Sequence, residues 1–167
     1  MVVVAVLCNG WLGVKMYLSQ SKQQAWHDSA AVRAQAFVGD VLFTLGCGRL
    51  FEGTPAQMLD SLTRLAQLPG ATRVCCTHEY TLSNLRFALA VEPGNAELAQ
   101  HAAHCSQLRA GNLPTLPSSI WLEKQINPFL RTQVPAVADA ASAHAPGAVS
   151  DAVSVLATLR EWKNNFK

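Results

Sequence analysis

The stretch FVGDVLFTLGCGRLFEGTPAQMLDSLTRLAQLPGATRVCCTHEY, residues 37–80, carries the clearest structural signals in the chain. It opens with an apolar strand that is interrupted at Gly39-Asp40, and Val74–Cys76 forms a second short apolar strand near its end. Between them, Thr54-Pro55-Ala56-Gln57 supplies a hydroxyl cap, a proline in the first turn and an amide three residues after the cap, which predict a helix start. Leu68-Pro69-Gly70 predicts the end of that helix. The sequence therefore predicts a β–α–β unit.

The chain after residue 80 is predicted to be mostly helical. One helix starts near Thr81 and ends at Glu92-Pro93-Gly94, a second is capped by Asn95, and a last amphipathic helix runs from Asp151 to Phe166. A proline-marked connection begins at Leu113-Pro114. The apolar spacing places Leu82, Leu85 and Leu89 inward on the first helix, and Leu98, Ala102 and Cys105 on one side of the second.

The first 36 residues have a different character. A short β-branched strand, Val2 to Leu7, precedes a turn at Asn9-Gly10 and a polar segment rich in Gln and Ala. A secretion signal is disfavoured, because no basic residue precedes the short apolar run. Five cysteines without a C-x-x-C pair favour reduced thiols and a cytoplasmic location. No apolar run approaches the ~18 residues that a membrane span needs, so no membrane partner is predicted.

Composition narrows the class of protein further. The chain has 167 residues, half of them hydrophobic and 14% charged, which predicts one folded domain or one with a small appendage. Thirteen Lys and Arg against eleven Asp and Glu leave a net charge of +2. This balance is too even for a nucleic-acid-binding surface. We therefore expect no nucleic-acid partner.

Asp40 and His78 stand at the ends of the two apolar strands of the β–α–β unit. A carboxylate and an imidazole presented there can converge on a metal ion. The alternative is that Asp40 caps a turn and His78 caps a helix. Two protein ligands are also fewer than the three or four that zinc normally takes.

Three other groups of residues admit both a structural and a functional interpretation. A helical spacing is shared by His101, His104 and Cys105. We favour a mixed, solvent-facing helix surface with Cys105 turned to the core over a metal site. Cys47 is interpreted as a buried, inert thiol rather than a nucleophile. Arg160 and Lys163 share a helix face and could hold a carboxylate, although a solvated face near a helix C-terminus is the alternative.

Several strings in the right order resemble the hydroxyacylglutathione hydrolase (glyoxalase II) family. They are FVGDVLF and GCGRLFEGT at 37–54, RVCCTHEYTLSNLRFALAVEPGN at 73–95, LPS at 116–118, NPFLR at 127–131 and LREWKNNF at 159–166. The resemblance covers residues 37–167 and is weakest between 132 and 158. It implies a mixed α and β chain: residues 37–80 as the C-terminal part of a metallo-β-lactamase-type αββα fold, and 81–167 as a helical glutathione-binding domain. Residues 1–36 are unmatched.

The resemblance also implies an activity and a set of site residues. Family members hydrolyse the thiolester S-D-lactoylglutathione to D-lactate and glutathione, which completes methylglyoxal detoxification, with two divalent metal ions, zinc or alternatively iron or manganese. Asp40 matches the metal-bridging aspartate and His78 the last metal-ligand histidine. Glutathione-binding positions are matched by Arg49, Phe51, Tyr80, Arg160 and Lys163. Arg49 and Phe51 replace a lysine and a tyrosine, so Phe51 gives up a hydroxyl.

The chain departs from the family pattern before Phe37. The metal signature T-H-x-H-x-D-H and a later G-H histidine are absent there, so only Asp40 and His78 remain of the metal ligands. We therefore expect a truncated chain that is weakly active or inactive alone, with a non-catalytic glutathione-conjugate binding module or a truncated remnant as alternatives. We also expect exposed edges at 37–41 and 74–76, with an uncovered apolar face.

Overall fold

The computed structural model describes residues 3–8, 14–16 and 34–166. This part of the chain is mixed α and β. The helices are α1 (Pro55–Ala66), α2 (Thr81–Val91), α3 (Ala96–Ala110), α4 (Ile120–Ile126), α5 (Pro135–His144) and α6 (Ala152–Asn165). The strands are β1 (Val3–Cys8), β2 (Val14–Met16), β3 (Gln35–Gly39), β4 (Leu42–Phe43), β5 (Gly46–Cys47), β6 (Arg73–Cys76) and β7 (Ser118–Ser119), and a 3-10 turn spans Pro128–Leu130. The predicted turn at Asn9-Gly10 and most of the polar segment lie outside the described residues.

Five of the strands form one sheet in the order β2-β1-β3-β6-β7. The β1–β3 and β3–β6 pairs are parallel, and Ala36 lies opposite Val74. A register shift between Phe37 and Gly39 accompanies a φ of +53° at Gly39, a conformation that glycine adopts at little steric cost. The predicted strand–helix–strand order is confirmed. The two-sheet sandwich that the resemblance implies stays a prediction.

The expectation of exposed strand edges is wrong. β3 lies between β1 and β6, and β6 lies between β3 and β7. The N-terminal strand and the short Ser118–Ser119 strand thus pair the edges that the sequence analysis left open. One face of β3 packs into the core through Ala36 and Val38, which are fully buried. The opposite face carries Phe37, which is 45% exposed, so part of that apolar face is uncovered.

The main core joins the sheet to α1, α2 and α6. Among its fully buried members are Leu62, Phe87, Phe129 and Leu156, from segments on both sides of residue 80. Both α1 and α6 start as predicted. Thr54 forms a reciprocal capping box with Gln57, and Asp151 forms one with Ser154.

The inward face predicted for α2 needs a correction. Leu82 is 44% exposed, whereas Phe87 and Val91 are buried in the main core. Leu85 belongs to a second, smaller cluster, which also contains Leu45, Ala88, Leu98, Cys105 and Ile126. Because α2 contacts two clusters, its apolar residues are spread around the helix, and a single-face pattern misplaces them.

The segment between residues 114 and 144 is more regular than the sequence predicts. It contains β7, α4, the 3-10 turn and α5. Pro128 and Pro135 stand in first turns, where the missing N–H breaks no helical hydrogen bond. Pro128 and Pro135 therefore mark the starts of the 3-10 turn and of α5, whereas Pro114 lies in an irregular stretch as predicted. No helix among the described residues is long and apolar enough to cross a membrane.

Candidate functional site

A cavity of about 610 Å³ opens beside the ends of β3 and β6. It brings together every site residue predicted from the sequence. Its lining comprises Asp40, Phe43, Cys47, Gly48, Arg49, Phe51, His78, Tyr80, Ser83, Asn84, Arg160, Lys163, Asn164 and Phe166. These residues come from the strand ends, the β4–β5 hairpin, the start of α2 and the last turns of α6, so the cavity exists only in the folded chain.

Parallel pairing of β3 and β6 brings Asp40 and His78 to the same edge of the sheet. Gly39 lies opposite Cys76, so the residues that follow each strand are neighbours. Thr77 Oγ1 donates a hydrogen bond to Asp40 Oδ1. The alternative that His78 caps a helix is wrong, because the N-cap of α2 is Tyr80 and no side chain accepts there.

Aromatic contacts orient the imidazole of His78. Its ring centroid lies 5.2 Å from that of Tyr80 with an interplanar angle of 27°, and 6.4 Å from that of Phe43. The rings of Phe43 and Tyr80 lie 5.3 Å apart. Such pairs contribute modestly to stability, so the rings of Phe43 and Tyr80 support His78 beside the cavity although its side chain is exposed.

The described residues do not fit the two-metal centre that the resemblance implies. Asp40 and His78 offer one carboxylate and one imidazole. Among residues 34–166 and the two short N-terminal strands, no group of three His, Cys, Asp or Glu side chains is placed to hold a metal ion. A zinc site normally takes three or four protein ligands.

Arg160 is a buried cation at the floor of the cavity, with 6% of its surface exposed. Its Nη1 donates to the carbonyl oxygen of Cys47 over 2.7 Å, and its guanidinium carbon lies 5.2 Å from the ring centroid of Phe129. The solvated-face alternative is therefore wrong for Arg160, because α6 packs against α1 and the hairpin covers this side chain.

Lys163 is half-buried one turn further along α6. Its Nζ donates to Ser83 O at 3.1 Å and to Ser83 Oγ at 3.2 Å, and it lies 5.4 Å from the centroid of Phe87. Burial, reinforced by the charges of Arg160 and Arg86, lowers the pKa of Lys163 to about 8. Lys163 is therefore not a fully solvated cation either.

The cavity is rich in cations that have no carboxylate partner within the described part of the chain. The ion pairs of the described part are Arg109–Glu79 and Arg131–Glu92, and neither involves Arg49, Arg160 or Lys163. An anionic ligand can therefore form charge-assisted hydrogen bonds with these cations. The aromatic rings around them provide apolar contact for the remainder of such a ligand.

The thiol of Cys47 is buried, as predicted. Burial raises its pKa to about 11, which outweighs the opposing effect of the nearby Arg160. Arg160 Nη1 lies 3.7 Å from the sulfur. A protonated thiol at neutral pH is a poor nucleophile.

The cysteine on α3 also matches its structural interpretation. Cys105 is fully buried, and its sulfur lies 3.3 Å from His101 Nε2. Burial raises the pKa of Cys105 and lowers that of His101. His144, which carried no signal in the sequence, stacks on Trp162 with 4.3 Å between ring centroids.

Besides Cys47 and Gly48, five lining residues were missed by the sequence analysis. Ser83 and Asn84 lie in the first turn of α2, directly after the His78 segment, and Asn164 follows Lys163. Their nearness to predicted residues is a signal that could have found them. The other two, Phe43 and Phe166, were interpreted as apolar positions of a strand and a helix.

Comparison with known proteins gives consistent matches. The family model described as hydroxyacylglutathione hydrolase C-terminus matches residues 79–166, more than half of the chain. A hydroxyacylglutathione hydrolase of Cupriavidus taiwanensis is 62% identical over 131 residues, covering 78% of this chain and 49% of the relative. One from Albidiferax ferrireducens is 61% identical over 130 residues, covering 78% and 51%, and one from Nitrosomonas europaea is 49% identical over 143 residues, covering 86% and 55%.

The chain spans about half the length of the curated relatives it matches. The matched region contains α2 to α6, including the two cations of α6 that line the cavity. By this match the chain belongs to the hydroxyacylglutathione hydrolase family.

Proposed function

We propose that this chain recognises the glutathione part of an S-acylglutathione thiolester and serves the hydrolysis of S-D-lactoylglutathione to D-lactate and glutathione. One observation carries the proposal. A single cavity collects Arg49, Arg160 and Lys163 beside Asp40 and His78, although these residues come from distant parts of the chain.

The roles of the cations follow from the chemistry of glutathione, a tripeptide with two carboxylates. Arg49 is exposed at the rim of the cavity, whereas Arg160 is fixed at its floor. Charges at these two depths, together with that of Lys163, can hold the carboxylates of an extended ligand. Tyr80 and Phe51, which is 86% exposed, supply apolar contact at the rim.

Asp40 and His78 are assigned to the reacting end of the ligand. In an intact family site they would contribute two ligands to a pair of divalent metals, zinc or alternatively iron or manganese, which activate water for attack on the thiolester carbonyl. The described residues supply too few donors for such a centre. We therefore expect the isolated chain to hydrolyse thiolesters weakly or not at all.

The proposal includes an organisation for the whole protein. Residues 37–80 would belong to a metallo-β-lactamase-type unit and 81–167 to the helical glutathione-binding domain, in a cytoplasmic monomer. The shared core of α1 and α6 fits a close association of these two segments.

Calorimetry with glutathione tests the recognition step. The chain should bind glutathione in low-salt buffer, and Arg49→Ala should weaken binding about threefold, because an exposed ion contact contributes up to about 1 kcal/mol. Arg64→Ala, on α1 outside the cavity lining, is the matched control and should leave affinity unchanged. Equal affinities for all three proteins, or no binding at all, would contradict the proposal.

A binding module without hydrolysis is the second candidate, and the shortage of metal ligands among the described residues favours it. Turnover of S-D-lactoylglutathione, measured with and without added zinc, separates the two. Binding without turnover supports the binding module. Turnover by the purified chain at a rate that responds to zinc supports the hydrolase.

A further inference from the structure

The β4–β5 hairpin forms one wall of the cavity and contains an unusual backbone conformation. Its turn residue Leu45 has a φ of +62°, in the left-handed region that non-glycine residues seldom adopt. Leu45 is nevertheless fully buried. A conformation of this kind persists only when surrounding contacts hold it.

Among the described residues, three buried polar side chains hold the backbone of the turn at residues 43–46. Asn127 Nδ2 donates to Phe43 O at 3.2 Å and to Gly46 O at 3.1 Å. Asn84 Nδ2 donates to Thr44 O at 3.0 Å. Glu123 Oε2 accepts from Leu45 N–H at 2.9 Å and from Asn127 Nδ2 at 2.9 Å.

Glu123 is the centre of this arrangement. It is fully buried on α4, and it binds both the left-handed residue and the asparagine that holds the two flanking carbonyls. Its other oxygen, Oε1, has no hydrogen-bond partner in the described part of the chain. Burying a carboxyl group costs free energy unless it is hydrogen-bonded. The hydrogen bonds of Glu123 with Leu45 and Asn127 offset part of that cost.

The hairpin held by these hydrogen bonds also forms part of the cavity wall. Phe43 and Cys47 line the cavity from its two strands, and the carbonyl of Cys47 receives the hydrogen bond of Arg160. Phe43 also contacts the rings of His78 and Tyr80. Displacing the turn would move the partner of Arg160 and the aromatic support of His78 together.

We propose that Glu123 is a positioning residue of the cavity, which fixes the Phe43–Cys47 wall through the N–H of Leu45 and the side chain of Asn127. Glu123 does not line the cavity itself. The inference rests on the proposed function only for the identity of the ligand.

The surroundings of Glu123 give it a distinctive response to pH. Burial raises its pKa to about 7, although the nearby hydroxyl of Ser118 and the hydrogen bonds from Leu45 and Asn127 act in the opposite direction. Among the described residues, burial raises the pKa of the thiols of Cys76 on β6 and Cys105 on α3, and both lie near enough for the charge of Glu123 to raise their pKa further. Ionisation of Glu123 near neutral pH should therefore favour opening of the hairpin, because an open state solvates the carboxylate.

Amide hydrogen exchange and glutathione calorimetry on the full chain test the proposal. The exchange rate of Leu45 N–H is divided by its intrinsic rate at the same pH, and this ratio measures how often the hairpin opens, while Leu62 on α1 reports global unfolding in the same experiment. Glu123→Ala should raise this ratio and weaken glutathione binding, each about tenfold, because a buried donor loses its partner. Glu123→Gln, which keeps an acceptor oxygen, should restore both to within about twofold of the unmodified protein.

Leu98→Ala is the control, since Leu98 is buried in the same cluster as Leu45 but does not hydrogen-bond the hairpin. It should lower global stability without changing the exchange ratio. An unchanged ratio in Glu123→Ala would overturn the proposal. If the unmodified chain does not bind glutathione, the proposed function fails and the exchange ratio still decides the role of Glu123.

A pH series covers the case in which Glu123→Ala does not fold. Between pH 6 and 8 the ratio should rise in the unmodified chain and stay level in Glu123→Gln. Parallel profiles in these two proteins would overturn the proposal.

Discussion

Arg160 Nη1 donates a 2.7 Å hydrogen bond to the carbonyl oxygen of Cys47, joining residues that lie 113 positions apart in the chain. This contact ties the last helix to the hairpin that forms one wall of the cavity. The same guanidinium faces the ring of Phe129. The side chain of Arg160 therefore contributes both to the stability of the fold and to the shape of the cavity.

Arg160→Ala should lower the free energy of unfolding by about 2–3 kcal/mol, because it removes a charge-assisted hydrogen bond and leaves a buried carbonyl without its donor. Urea denaturation measures the change. The matched control is Arg64→Ala, on α1, for which we expect a change within about 0.5 kcal/mol. Equal losses in the two variants would show that the link between α6 and the hairpin contributes nothing.

Gly48 is predicted to tolerate no side chain. A Cβ built there would collide with the carbonyl oxygen of Asp40, and backbone cannot move aside as a flexible side chain can. Gly48→Ala should therefore cost about 3 kcal/mol of stability and shift Asp40. A Cβ at Gly94 would meet nothing within 4 Å, so Gly94→Ala is the matched control. Thermal unfolding compares them, and similar melting temperatures would contradict the prediction.

Local signals predicted the parts of the fold that depend on neighbouring residues. The capping boxes at Thr54 and Asp151 and the strand at Val74 were recoverable, because each is encoded within a few positions. The pairing partners of β3 and β6 were not, since strand pairing between distant segments leaves no local signature. α4 was missed because Glu123 interrupts its apolar pattern. Glu123 is buried where it accepts a hydrogen bond from Leu45 in the hairpin, and the local sequence does not reveal this contact.

The residues that line the cavity were predicted more fully than the strands and helices that bring them together. Asp40, His78, Arg160 and Lys163 all line one cavity, and family resemblance supplied the grouping. Spacing alone gave Arg160 and Lys163 a solvated face as the alternative. Helix geometry places the two side chains together, but it does not reveal that the hairpin and α2 cover them.

Glu123 should make stability depend on pH in the acidic and neutral range. Its folded pKa of about 7 lies above the ordinary value of 4.5, so the folded chain binds this proton more tightly than the unfolded chain does. Its contribution is greatest below pH 4.5 and is lost as the pH rises through 7. The loss is on the order of 3 kcal/mol.

Urea denaturation of the unmodified protein and Glu123→Gln between pH 4.5 and 8 measures this contribution. As the pH rises, the unfolding free energy of the unmodified protein should fall relative to that of Glu123→Gln. Titration of His101, whose pKa burial lowers, occurs in both proteins and cancels in the difference. A difference that stays constant over this range would show that Glu123 does not titrate there.

Lys163 should make stability change with pH in the opposite direction, in a higher pH range. Its folded pKa of about 8 lies below the ordinary value of 10.5, so the unfolded chain binds the proton more tightly. Stability attributable to Lys163 should therefore rise between pH 8 and 10.5, as the folded state is relieved of a partly buried charge. Lys163→Met keeps the apolar stem and removes the titration. The melting temperature of the unmodified protein, relative to that of Lys163→Met, should increase across this range. Ionisation of Cys47 acts on both proteins equally, so a flat or falling difference would contradict the placement of Lys163 against Ser83 and Phe87.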